Sequence, residues 1–161
     1  MQSGSVPVFK RVLIANRGEI AIRIARAAAG LGVESVSVFA PADALGLHTR
    51  VTTQSHAIGA GGGDPVAAYL DIDALVAAAV ATGCDCVHPG YGFLSENAAF
   101  ARRCLAEGIG FIGPKPETLE LFGDKLKARA LAAALGVPTV PGSAQALGSA
   151  DAAGAQAEAL G

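Results

Sequence analysis

The sequence predicts an α/β fold, a parallel sheet with helices on both faces, and three observations carry that prediction. Short apolar runs rich in β-branched residues recur along the chain, helical patterns separate them, and Gly or Pro marks most of the changes. Strands separated in this way imply βαβ units with right-handed crossovers. At 161 residues the chain has the length of one domain with a real core.

The elements follow in order. Residues 11–16 (RVLIAN) predict a buried strand. Over residues 18–31 the apolar positions Ile20, Ile24, Ala27, Ala28 and Leu31 recur at helical spacing, Arg23 and Arg26 mark the wetter side, and Gly32 stops the helix. Residues 34–40 (ESVSVFA) form a second strand closed by Pro41, and residues 55–59 a short third strand before a loop at Gly61, Gly62 and Gly63. Asp71 is placed to cap a helix through Leu75 to Ala81, residues 84–88 form the fourth strand, Ser95 caps a helix reaching Ala106, and residues 109–112 complete the strands. Asp124 then caps a helix over 125–135 that Gly136 ends, ahead of the turn-forming residues 137–143. The tail from Ala144 is rich in Ala and Gly, with helical character over 151–160. The whole pattern is Rossmann-like. In such sheets ligands gather at the carboxyl ends of the strands, which here carry Asn16-Arg17-Gly18, Pro89-Gly90-Tyr91-Gly92 and Gly113-Pro114-Lys115.

Composition narrows the function. Hydrophobic residues make up 52% and charged residues 16% of the chain, so some apolar surface is expected to lie against partner segments. The net charge of -2 and the lack of any Lys/Arg run argue against a nucleic-acid partner. No apolar run has the length of a membrane span and residues 1–10 lack a secretory core, so no membrane partner and a cytoplasmic setting are expected. Cys84, Cys86 and Cys104 cannot all pair, and a cytosolic setting keeps thiols reduced. Strand alternation would put Cys84, Cys86 and His88 on one face at spacings that resemble metal ligands. No second ligand pair follows, so the expectation is buried core and no metal.

A dinucleotide site fits poorly. Gly90-Tyr91-Gly92-Phe93-Leu94-Ser95 approaches G-x-G-x-x-G, but the fingerprint belongs on the first strand-to-helix turn, where this chain has one glycine and Glu19 facing any pyrophosphate. The glycine cluster at 61–63 is followed by Asp64 and Pro65, where a phosphate would need free amides.

Five segments resemble, in order and spacing, the biotin carboxylase family: residues 15–23 (ANRGEIAIR), 88–97 (HPGYGFLSEN), 111–114 (FIGP), 123–125 (GDK) and 136–142 (GVPTVPG). The resemblance implies that residues 1–9 are a disordered leader, that 10–122 form the N-terminal domain preceding an ATP-grasp domain, and that 123–161 are a linker helix and the truncated start of that ATP-grasp domain. It implies an enzyme that activates bicarbonate with ATP and Mg²⁺ as carboxyphosphate and then carboxylates biotin. The implied partners are the remaining ATP-grasp and C-terminal biotin carboxylase domains, a biotin carboxyl carrier domain, a carboxyltransferase and a second copy in a homodimer.

Lys125 matches the lysine that reaches the ATP phosphates, Tyr91 and Gly92 match a loop on the biotin side, and Arg26 matches a dimer-interface arginine. Arg17, Glu19 and Glu96 are expected to form internal ion pairs that fix loop geometry. No catalytic residue is expected within the 161 residues, and the chain alone is expected to be inactive. The chain departs from the family at 52–55 (TTQS) and 40–43 (APAD), both usually more acidic, and Gly30 replaces an acidic residue one turn beyond Arg26. A non-catalytic binding or scaffold module on the same fold remains the alternative.

Overall fold

The computed structural model describes residues 9–59, 64–142 and 148–160. The expected leader, apart from Phe9, and the glycine cluster at 61–63 lie outside the described residues. The chain divides into two compact units, with the boundary after Pro116.

The first unit is the predicted α/β sheet. Its strands are β1 (Arg11–Ile14), β2 (Glu34–Phe39), β3 (Gln54–Ala57), β4 (Cys86–His88) and β5 (Gly110–Phe111), in the order β3-β2-β1-β4-β5. All four pairings are parallel, with Ile14 beside both Ser37 and His88. Parallel strands buried on both faces need continuous apolar character. Val12, Leu13 and Ile14 of β1 and Val36 and Val38 of β2 supply it.

Helices cover both faces. On one face α1 (Gly18–Gly30) packs Ala21, Ala25 and Ala28 against Val12, Ile14 and Cys86. The other face holds the larger cluster, where α4 (Ile72–Ala81) contributes Leu75, Val76, Ala78 and Ala79, and α5 (Ala98–Ala106) contributes Phe100 and Cys104. Small alanines let α1 approach the sheet closely, while Phe100 stands edge-on to Phe111 with ring centroids 5.8 Å apart. Between α1 and the β4-β5 edge runs an apolar groove lined by Val12, Ile24, Ala28, Cys86, His88 and Ile112. Two helices of four residues each, α2 (His48–Val51) and α3 (Pro65–Ala68), flank β3 and have no counterpart in the predicted elements.

Two expectations need correction. Ser95 does not cap α5: its amide donates to the Gly92 carbonyl, and Asn97 is the cap, its side chain accepting from the Phe100 amide at 2.9 Å. A tight turn over 92–95 consumes the residues that a Ser95 cap would have put in the helix. Cys84, Cys86 and His88 also do not share one strand face. Gly83, at φ +65°, ends α4 with the Cys84 amide turned back to the Ala79 carbonyl, so β4 begins only at Cys86. Cys84 therefore packs in the α4-α5 cluster and Cys86 in the α1 cluster. Burial pushes the Cys86 thiol up to about 12, helped by the neighbouring Asp85 carboxylate, and the Cys104 thiol to about 11. Among the described residues no group of three His, Cys, Asp or Glu is placed to hold a metal ion.

The second unit contains α6 (Pro116–Gly123), which begins at the boundary, α7 (Lys125–Ala134) and α8 (Ala150–Leu160). Asp124 caps α7 as expected, accepting from the Leu126 and Lys127 amides at 3.0 and 3.1 Å. None of the described helices is long and apolar enough to cross a membrane.

Candidate active-site loops

The order of the strands locates the site. From β1 the chain runs outward through β2 to β3, and the later strands β4 and β5 extend the sheet the other way, so the direction reverses between β1 and β4. At that switch point the loops leaving the two carboxyl ends diverge and leave a crevice. The loops there are 15–17 and 89–97, two of the three that the sequence singled out.

Asn16 joins them. Its side chain is buried, and Nδ2 donates to the carbonyls of Pro89 and Tyr91 at 2.9 Å each, while Oδ1 accepts the Arg17 amide at 2.9 Å. One carboxamide thus meets both of its donors' needs and fixes three peptide units. Gly90, at φ +70°, lies against it: a Cβ there would stand 2.6 Å from Asn16 Nδ2. The Gly90 amide donates to His88 Nδ1 at 3.0 Å, which requires the neutral ring with its proton on Nε2.

Arg17 builds the second support. It pairs with Asp43 at 3.1 Å, and its guanidinium lies 5.6 Å from the Tyr69 ring centre and 5.9 Å from that of Phe93. The two rings stack at 5.3 Å. Tyr69 donates its hydroxyl hydrogen to Asp43 at 2.8 Å and accepts the Ala40 amide at 3.1 Å. Burial alone would raise the Asp43 carboxyl, but the Tyr69 hydroxyl and Arg17 together hold it below the ordinary 3.8. Burial, with the facing carboxylate, pushes the Tyr69 phenol well above its ordinary value. Phe93 is the one non-glycine residue at positive φ among those described, at +43°.

The expected ion pairs divide accordingly. Arg17 has its partner in Asp43, Glu19 faces Arg23 at 3.7 Å one turn along α1, and exposed Glu96 has no ion pair among the described residues. Asp43 and Tyr69 were missed by sequence reasoning. Asp43 follows β2 at the same end of the sheet, which was the available signal; nothing in the local pattern marks Tyr69.

Residues 8–119 match the family model for the biotin carboxylase N-terminal domain. The chain belongs to the biotin carboxylase family. It is 50% identical over 135 residues to the pyruvate carboxylase of Bacillus subtilis, covering 84% of this chain and 12% of that relative. A solved biotin carboxylase domain of a single-chain bacterial carboxylase superposes with a TM-score of 0.83 at 53% identity, covering 93% of this chain and 34% of the other. The biotin carboxylase domain dimer of the Hydrogenobacter thermophilus 2-oxoglutarate carboxylase, in complex with MgADP, ADP and bicarbonate, superposes with a TM-score of 0.90 at 40% identity, covering 97% and 34%. The chain thus spans about an eighth of the length of the curated relative and a third of the solved domains.

The residues matched to the family's motifs lie on different elements of this biotin carboxylase N-terminal segment. Tyr91 and Gly92 lie together in the loop that Asn16 holds, with the Tyr91 side chain well exposed. Arg26 is exposed on α1, about 13 Å along the helix axis from Arg17. Lys125 is the exposed first residue of α7, in the second unit. Of the carboxylates described above, Asp43 is taken up by Arg17 and Tyr69, and Asp124, in the second unit, caps α7.

Buried His48 and half-buried His88 are expected to give this domain a pH response. Burial pushes His48 below the ordinary 6.5, outweighing the pull of Asp43 and the Val38 carbonyl, and its Nε2 has no hydrogen-bond partner among the described residues. Burial also lowers His88. Both rings bind fewer protons folded than unfolded, so their contribution to stability is complete above 6.5 and is lost as pH falls below it. Asp43 acts in the same direction at lower pH, its contribution disappearing as pH drops through its depressed value. The thermal midpoint, followed by circular dichroism, should fall between about pH 7.5 and about pH 5.5, and less steeply in His48→Gln. A midpoint constant over that range would refute the assignment.

Proposed function

We propose that this chain is the N-terminal domain of an ATP-dependent biotin carboxylase within an acyl-CoA, pyruvate or urea carboxylase. The enzyme activates bicarbonate as carboxyphosphate and carboxylates biotin on a carrier domain. The observation that carries the reading is the likeness to the 2-oxoglutarate carboxylase domain, whose structure holds MgADP and bicarbonate.

In this reading the chain supplies few of the reacting groups. Phosphoryl transfer to bicarbonate needs cations on the phosphates and carboxylates on Mg²⁺. The described residues hold no such carboxylate cluster, and the family resemblance assigns the metal and bicarbonate ligands to the ATP-grasp domain. Lys125 contributes a point cation to the ATP phosphates. Tyr91 and Gly92 face biotin, and Arg26 belongs to the homodimer contact, a reading supported by the dimeric state of that relative.

The test replaces the matching segment of the Hydrogenobacter thermophilus biotin carboxylase domain with this chain. The chimera should release phosphate from ATP in the presence of bicarbonate and free biotin, while the 161 residues alone should release none above background. A folded but inactive chimera, or turnover by the chain alone, would overturn the proposal.

A further inference from the structure

We propose that Asn16, backed by the Arg17-Asp43-Tyr69-Phe93 assembly, is a positioning residue that holds the 89–95 turn in one conformation and so sets how Tyr91 and Gly92 meet biotin. The inference rests on the proposed biotin-side role of that loop.

The turn cannot hold itself. Gly90 and Gly92, at φ +70° and +69°, add backbone freedom because glycine visits either sign of φ at little cost, while Phe93, at +43°, stays in the left-handed region only where its surroundings hold it there. Within the turn only the Ser95 amide to the Gly92 carbonyl and the Asn97 amide to the Leu94 carbonyl close on themselves. The rest of the restraint comes from outside. Asn16 accounts for two of the carbonyls, Pro89 and Tyr91, from a side chain that is itself buried at the end of β1. Phe93 is pinned by stacking on Tyr69 beside the Arg17 guanidinium.

This restraint acts on the exposed side of the loop. The Tyr91–Gly92 peptide is trans, so fixing the Tyr91 carbonyl on Asn16 turns the Gly92 N–H the opposite way, outward. The same peptide anchors the Tyr91 backbone, while its ring extends into solvent. Asn16 touches nothing that reacts; it aims a donor and a ring that do. Arg17 serves the same end by a different route, since its charge is balanced by Asp43 and its plane is spent on the two rings. Tyr69 links the assembly to the sheet by its bonds to Asp43 and Ala40.

Hydrogen exchange on the 161-residue chain tests the restraint, and steady-state kinetics of the chimera test its consequence. In Asn16→Ala the Gly90 and Ser95 amides should exchange about tenfold faster or more, with the β1 and β2 amides unchanged. The Michaelis constant for free biotin should rise about tenfold while that for ATP stays put. Arg17→Met, at a partly exposed position, provides the same readouts if Asn16→Ala fails to fold, and Tyr69→Phe should retain more of the wild-type behaviour because it keeps the ring stack. Equal acceleration in the strands, or none in the loop, would overturn the positioning role and leave the biotin reading standing. A loosened loop with an unchanged Michaelis constant for biotin would overturn both.

Discussion

Replacing Gly90 by alanine is expected to destabilise the domain by about 2–5 kcal/mol. Two costs add. An L-residue at φ +70° carries about 1–2 kcal/mol of backbone strain. The new Cβ would also stand 2.6 Å from Asn16 Nδ2 and 2.8 Å from Ile20 Cγ2. Asn16 cannot step aside without breaking its bonds to Pro89 and Tyr91, so the clash must be relieved by moving the loop or α1. Gly32→Ala isolates the first cost, because Gly32 has φ +71° but open space around its Cβ position. Thermal unfolding should show a fall of about 5–15 °C for Gly90→Ala and only a few degrees for the control. Equal shifts would mean that Asn16 does not pack against Gly90 as described.

Much of this fold was legible because its signals are local. The runs VLI and SVSV, the alanine stripe of α1, the Asp71 and Asp124 caps and the glycine stops at Gly32 and Gly136 each act within a few residues. The misses came where two local rules competed. Gly83 was free to end α4 in a left-handed turn, and that took Cys84 and Asp85 out of the strand to which alternation had assigned them. Ser95 and Asn97 are both good caps, and the turn at Gly92 decided between them. Pro116 begins α6, where a first-turn proline is at home, yet the Pro114-Lys115-Pro116 run reads as a loop. The site divides in the same way. Asn16, Arg17, Tyr91 and Gly92 were visible as motif residues at strand ends, whereas Asp43 and Tyr69 reach Arg17 from 26 and 52 positions away, and only the sheet order brings them together.

Lys125→Gln should raise the Michaelis constant for ATP in the chimera by roughly ten- to a hundredfold, the usual cost of one charge-assisted contact to phosphate. The fold should be unaffected, because Lys125 is exposed and the start of α7 is set by the Asp124 side chain rather than by its own. Lys127 is the control. It lies about 200° further around the helix, and its ammonium rests 3.6 Å from Asp124 Oδ2, an exposed pair at i,i+3. Asp124 therefore draws Lys127 back over the cap, while Lys125 has no ion pair among the described residues and keeps its charge available for an anionic ligand. Glutamine keeps a hydrogen-bonding side chain only one atom shorter but removes the charge, so the variant tests mainly the charge. If ATP affinity depends on a cation at the head of α7, only Lys125→Gln should lose it, and the loss should shrink as salt is raised. Equal losses at Lys125 and Lys127 would show a general electrostatic effect of the helix terminus, and no loss at Lys125 would place the phosphates elsewhere.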